Sequence, residues 1–163
     1  MNFKKILLAV DASENAMRAV EYVGHIAAGC DGFEVQIHCI ERLPHRDIYP
    51  DETAWKDGCQ ATRAELTQFM ETARQNLVQR GVPQDKVTDR YVISCQSPFK
   101  DMKPACSRGT GVAQEILAEV ESGGFGTVVV GRRGVSKEEE FIFGSVSNKI
   151  VHSAKNCTVW VVS

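Results

Sequence analysis

The chain has 163 residues and a mass of 18.0 kDa, with 43% hydrophobic and 25% charged residues, enough to bury roughly 68–70% of its unfolded surface without disulfide or metal staples. Its 19 basic and 21 acidic residues are interleaved and leave a net charge of -2, which argues against nucleic acid as a partner. No apolar run approaches the ~18 residues of a membrane span and Met1 to Lys5 leads into a strand-like run rather than a signal peptide, so one cytoplasmic domain over residues 1–163, with no membrane partner, is expected.

Residues 5–10 form a nearly continuous apolar run ending in Asp11, the pattern of a parallel strand buried on both faces. Ser13 stands where a helix N-cap belongs, and Ala16, Ala19, Val20, Val23, Ile26 and Ala27 make one amphipathic stripe. Gly29 and Gly32 stop it. Phe33 to Ile40 reads as a second strand, with Val35, Ile37 and Cys39 alternating against Glu34, Gln36 and His38.

Residues 41–50 carry two prolines and read as a loop. From about Asp51, the residues Trp55, Leu66, Phe69, Met70, Ala73, Leu77 and Val78 recur at near-helical spacing until Gly81 and Pro83 end the run. Val87 to Ile93 is a third strand, followed by a long irregular segment over 94–110. Val112, Ile116, Leu117 and Val120 mark a third helix, closed by Gly123-Gly124. Thr127 to Val130 is a short buried strand running into Gly131-Arg132-Arg133-Gly134. Val146, Ile150, Val151 and Ala154 form the last helical stripe, with Ser145 as its N-cap, and Thr158 to Val162 the final strand. The alternation predicts an α/β fold with a mostly parallel sheet and helices on both faces.

The six cysteines, at 30, 39, 59, 95, 106 and 157, form no C-x-x-C pair, and the four histidines are scattered. No metal site is expected. The thiols read as buried or idle, although Cys95 and Cys106 bracket part of the long segment and leave room for a local bridge or redox role.

Ligands of open α/β sheets bind beyond the carboxyl ends of the strands, where strand order reverses. At the end of the fourth strand stands Gly131-x2-Gly134, then nine residues, then Gly144-Ser145 opening a helix. Such glycines serve as turn punctuation, but they also let backbone approach a ligand, and a Gly-Ser helix start offers N–H groups and a hydroxyl to a phosphate. The G-x2-G-x9-G-[S/T] pattern, continued by Val146-Ser147-x-x-Ile150-Val151, closely resembles the signature of the universal stress protein family. Ile6-Leu7-Leu8-Ala9-Val10-Asp11-Ala12-Ser13 is similar to that family's first strand and Asp-x-Ser turn, and His38-Cys39 falls where the family has His-Val. The resemblance covers the chain except residues 94–110.

It implies a Rossmann-like open sheet of five mainly parallel strands in the order 3-2-1-4-5, and a homodimer joined through the C-terminal strand. It further implies a stress-response or signalling factor that binds adenine nucleotide, ATP or AMP, with or without magnesium. Carried over residue by residue, Ala9, Val10, Asp11 and Cys39 would line the adenine and ribose side. Val130, Gly131, Arg133 and Gly134 would continue the pocket, and Gly144, Ser145, Val146 and Ser147 would hold the phosphates. No catalytic set accompanies these glycines, and neither G-x4-G-K-[S/T] nor a G-x-G-x-x-G after strand one is present, so at most slow ATP hydrolysis is expected. Glu138-Glu139-Glu140 departs from the family pattern, because three carboxylates beside a triphosphate oppose it. This leaves an alternative reading: a dimeric adaptor that keeps the fold without nucleotide.

Overall fold

A computed structural model describes residues 2–99, 107, 110–132 and 144–163. Its elements are β1 (Asn2–Val10), α1 (Glu14–Ala27), β2 (Glu34–Ile40), α2 (Glu52–Gln79), β3 (Val87–Val92), α3 (Val112–Ser122), β4 (Phe125–Gly131), α4 (Ser145–Ser153) and β5 (Thr158–Val162). The sheet order is β3-β2-β1-β4-β5. Every pairing is parallel, so the expected five-stranded order is present. β1 lies at the centre, where Ile6, Leu7 and Leu8 are fully buried, whereas β5 lies at an edge and is half-buried along its length.

The helices cover the two faces separately. α1 and α2 pack on one face against Ile6, Leu8, Ile37, Cys39 and Val129. α3 and α4 pack on the other against Leu7, Ile40, Val128 and Val130. α1 starts at the expected cap, since Ser13 Oγ accepts from the Ala16 amide at 3.1 Å. α2 starts likewise at Asp51, whose carboxylate accepts from the Ala54 amide at 2.9 Å. α2 has 28 residues, and Leu66, Met70, Ala73 and Leu77 carry its buried stripe.

β4 begins two residues before the expected Thr127, at Phe125. Gly123 and Gly124 close α3 as expected, and Gly126, which follows them, lies within the strand. A Cβ there would meet the Asn2 carbonyl oxygen at 2.3 Å, so close contact between backbones, rather than a turn, accounts for this glycine.

The register settles which side chains share a face. Ala9 pairs with both His38 and Val130, and His38 pairs with Arg90. That row faces α3 and α4. The next row, with Val10 paired to Cys39 and Cys39 to Tyr91, belongs to the opposite face. Among the described residues no helix is long and apolar enough to cross a membrane.

Candidate functional site

The strand order reverses at β1, whose two neighbours are reached by opposite crossovers. A cleft opens there, over the carboxyl ends of β2, β1 and β4. Nine of the expected residues line it: Ala9, Val10 and Asp11 from the end of β1, Val130 and Gly131 from β4, and Gly144, Ser145, Val146 and Ser147 from the start of α4. Cys39 does not line it. Its thiol is buried in the α1/α2 core, because the register puts it on the face away from the cleft. Arg133, Gly134 and the acidic run at 138–140 lie outside the described residues.

The turn from β1 into α1 is held by its own side chains. Asp11 Oδ1 accepts from Ser13 Oγ at 2.7 Å and from the Ser13 amide at 3.3 Å. Between them Ala12 has φ 62°, a left-handed conformation that costs a residue with a Cβ about 1–2 kcal/mol. The neighbouring hydrogen bonds hold it there, and the strain sits at the rim of the cleft.

α4 enters differently from the expectation. Gly144 is the N-cap and Ser145 the first helical residue, and among the described residues no side chain caps this terminus. Ser147 Oγ instead donates to the Arg132 carbonyl at 2.6 Å, which also accepts from the Gly144 amide at 2.8 Å. The Ser147 hydroxyl therefore clamps the end of β4 to the start of α4. What α4 offers the cleft is the first-turn backbone N–H groups and the positive end of its dipole.

Five lining residues escaped sequence reasoning: His38, Ile40, Arg42, Val112 and Ile116. The signal was available in the alternation of β2, which sets His38 and Ile40 on the face opposite Cys39. With Val112 and Ile116 of α3, Ile40 gives the cleft an apolar wall beside His38 and Arg42. His38 is 2% exposed. Burial pushes its pKa down to about 4, assisted by the Arg90 charge and opposed by Glu119 and Glu115. The Cys39 thiol is pushed up to about 12, first by burial and then by the Asp11 and Glu41 carboxylates, which makes it an inert core group.

Glu41, just past β2, is 4% exposed. It accepts from Tyr91 Oη at 3.1 Å and from the Ser94 amide at 3.0 Å, so it ties the end of β3 to β2. Cys30, Cys39, Cys59, Cys95 and Cys157 are free thiols. Cys95 donates to the Ser107 carbonyl, and Cys106 lies outside the described residues. Among the described residues, no group of three or more His, Cys, Asp or Glu side chains is arranged to hold a metal ion.

Residues 107–163 match the model of the universal stress protein family. No curated protein sequence matches the chain at a significant level. Among solved structures, the chain is similar to hypothetical protein MJ0577, the subject of a structure-based assignment of biochemical function, with a TM-score of 0.72 at 23% identity over 99% of this chain and 96% of that one. A universal stress protein in complex with cAMP aligns with a TM-score of 0.63 at 17% identity, over 99% of this chain and 98% of that one. The universal stress protein from Archaeoglobus fulgidus in complex with dAMP aligns over 100% of both chains, with a TM-score of 0.61 at 18% identity. The family resemblance carried by the glycine spacing therefore holds: residues 107–163 match the universal stress protein family, and the chain as a whole has the fold of solved structures bearing that name.

Proposed function

We propose that this chain is a cytoplasmic universal stress protein that binds an adenine nucleotide, ATP or AMP, and acts as a dimeric stress-response or signalling factor. The observation that carries the reading is the polarity of the cleft. Its apolar wall, Ile40 of β2 with Val112 and Ile116 of α3, suits a purine ring, and the start of α4, which no side chain caps among the described residues, suits phosphates. The structures similar to it with cAMP and with dAMP support an adenine ligand. Asp11, which lines the same cleft at the end of β1, would accept ribose hydroxyls, or face a magnesium ion accompanying a triphosphate. Arg133 and Gly134 belong to the same proposed site. The alternative of a nucleotide-free adaptor rests on residues 138–140, outside the described structure.

Gently purified protein is expected to release adenine nucleotide on denaturation, or to bind ATP or AMP in calorimetry. Ala9 is the variant site of choice, because it is partly exposed on the floor of the cleft. Ala9→Leu is expected to weaken binding at least about tenfold by filling that space, with an unchanged circular dichroism spectrum. Neither released nucleotide nor heat of binding at millimolar ATP would exclude the reading.

The dimer is proposed through β5. This edge strand has β4 on one side only, and an unpaired edge is a template for a second strand. Trp160 meets Tyr22 edge-on at 5.7 Å between ring centroids, and Tyr22 and Ile26 of α1 are exposed beside it. Light scattering is expected to give twice the chain mass of 18.0 kDa; a monomer at all accessible concentrations would rule the dimer out.

A further inference from the structure

Beside the cleft one buried polar atom has no partner. His38 Nε2 makes no hydrogen bond among the described residues, although His38 is one of the residues that line the cleft and is only 2% exposed. A buried donor left unsatisfied is costly, and such groups call for an explanation.

The neighbours of the ring decide what that atom offers. The Gln36 side-chain amide nitrogen donates to Glu119 Oε1 at 3.2 Å. Glu119 is paired with Arg90 at 3.4 Å. Because a carboxylate only accepts, the Gln36 atom facing it is the NH2 group and not the carbonyl. The same nitrogen lies 3.5 Å from His38 Nδ1, so Nδ1 accepts and the proton of the neutral ring sits on Nε2. Arg90, Glu119 and Gln36 together hold the imidazole as an Nε2–H donor.

We propose that His38 is a ligand-recognition residue whose Nε2–H donates to a ring nitrogen of a purine base inserted between β2 and α3. The inference rests on the nucleotide reading above and adds to it the side chain that reads the base. The surroundings favour base over phosphate: Ile40, Val112 and Ile116, which line the cleft together with His38, are apolar. A neutral imidazole in that slot supplies a directional contact without adding charge. Burial keeps the ring neutral at physiological pH.

The test is a cycle between the residue and the base, read by calorimetry with ATP and its 1-deaza, 3-deaza and 7-deaza analogues on unmodified protein and on His38→Phe. On unmodified protein one analogue is expected to bind about tenfold more weakly than ATP, the usual scale for leaving a buried donor unpaired. On His38→Phe that analogue and ATP are expected to bind alike. A second measurement needs no variant: the His38 Nε2 nitrogen and its proton, observed by nuclear magnetic resonance, should shift when ATP is added. If ATP binds but no analogue is disfavoured, if His38→Phe discriminates as the unmodified protein does, or if the Nε2 signal stays in place, the assignment of His38 is overturned and nucleotide binding stands. If unmodified protein binds neither ATP nor AMP, the nucleotide reading falls and this inference with it.

Discussion

Gly131→Ala is expected to destabilise the protein by about 2–3 kcal/mol, and Gly126→Ala by only about 1 kcal/mol, although the added methyl meets the closer obstacle at Gly126. A Cβ at Gly126 would lie 2.3 Å from the Asn2 carbonyl oxygen and 2.7 Å from the Phe3 amide nitrogen. Those atoms belong to the outer end of β1, where Asn2 and Phe3 are exposed and the pairing with β4 is already irregular. They can move away at the loss of a few terminal contacts, among them the 2.8 Å bond from Thr127 Oγ1 to the Phe3 carbonyl. At Gly131 the obstacles are the Asn15 carbonyl carbon at 2.8 Å and the Ala16 amide nitrogen at 3.0 Å. These atoms form the first turn of α1, fixed by the Ser13 cap and by Ala16 and Ala19 in the core. They have nowhere to go. Urea unfolding of both variants checks the ranking, and an equal or larger loss at Gly126 would show that the start of α1 is softer than its packing implies.

This ranking bears on how the cleft should be probed. A bulky residue at Gly131 pushes on the turn that holds Asp11, so loss of ligand in Gly131→Val would mix misfolding with lost contact. Ala9→Leu enters the cleft without touching α1, since Ala9 faces the α3/α4 side.

Periodicity made the sheet and its helices legible, because each buried element is a surface with one repeating apolar face. Ile6 to Val10 announced a central strand since both its faces are covered. The boundary of β4 was hidden because Gly126 serves a backbone contact and so resembles turn punctuation. The cleft was legible wherever backbone geometry demanded a residue type: Asp11 at the turn, Gly131 at a close approach to α1, Gly144 at the start of α4. Ser145 and Ser147 look equivalent in a list of residues, yet only the three-dimensional path of β4 shows that the Ser147 hydroxyl is spent on the Arg132 carbonyl. Cys39 was assigned to the pocket by alignment with a motif, whereas the pleat gives that place to its neighbours. His38 and Ile40 could have been found by carrying the alternation of β2 one step further and asking which face holds α3. Arg42 lies past the end of the strand, where no period predicts direction.

Lowering the pH from 6.5 to 4 is expected to cost the protein about 3 kcal/mol more than it costs His38→Phe. In the unfolded chain a histidine takes up its proton near its ordinary value of 6.5, and in the folded protein only near about 4. Between those values the unfolded state binds more protons, so stability falls as the pH falls. Above pH 6.5 both states hold a neutral ring, and below about 4 both are charged, so the difference is confined to that window. Burial is the main cause, with Arg90 acting in the same direction and Glu119 and Glu115 against it. The hydrogen-bond chain adds a structural reason. Protonation must occur at Nδ1, which already faces the Gln36 NH2 group at 3.5 Å, and two donors would then oppose each other unless Gln36 turned and gave up Glu119. Other acid-sensitive contacts, such as Glu34 held below its ordinary value by Lys86, act equally on both proteins and cancel in the comparison. Urea unfolding at pH 7.5, 5.5 and 4 measures the difference. Parallel losses in the two proteins would mean that His38 is hydrated when the protein is folded, and would remove the basis for treating its Nε2–H as a dry donor waiting for a ligand.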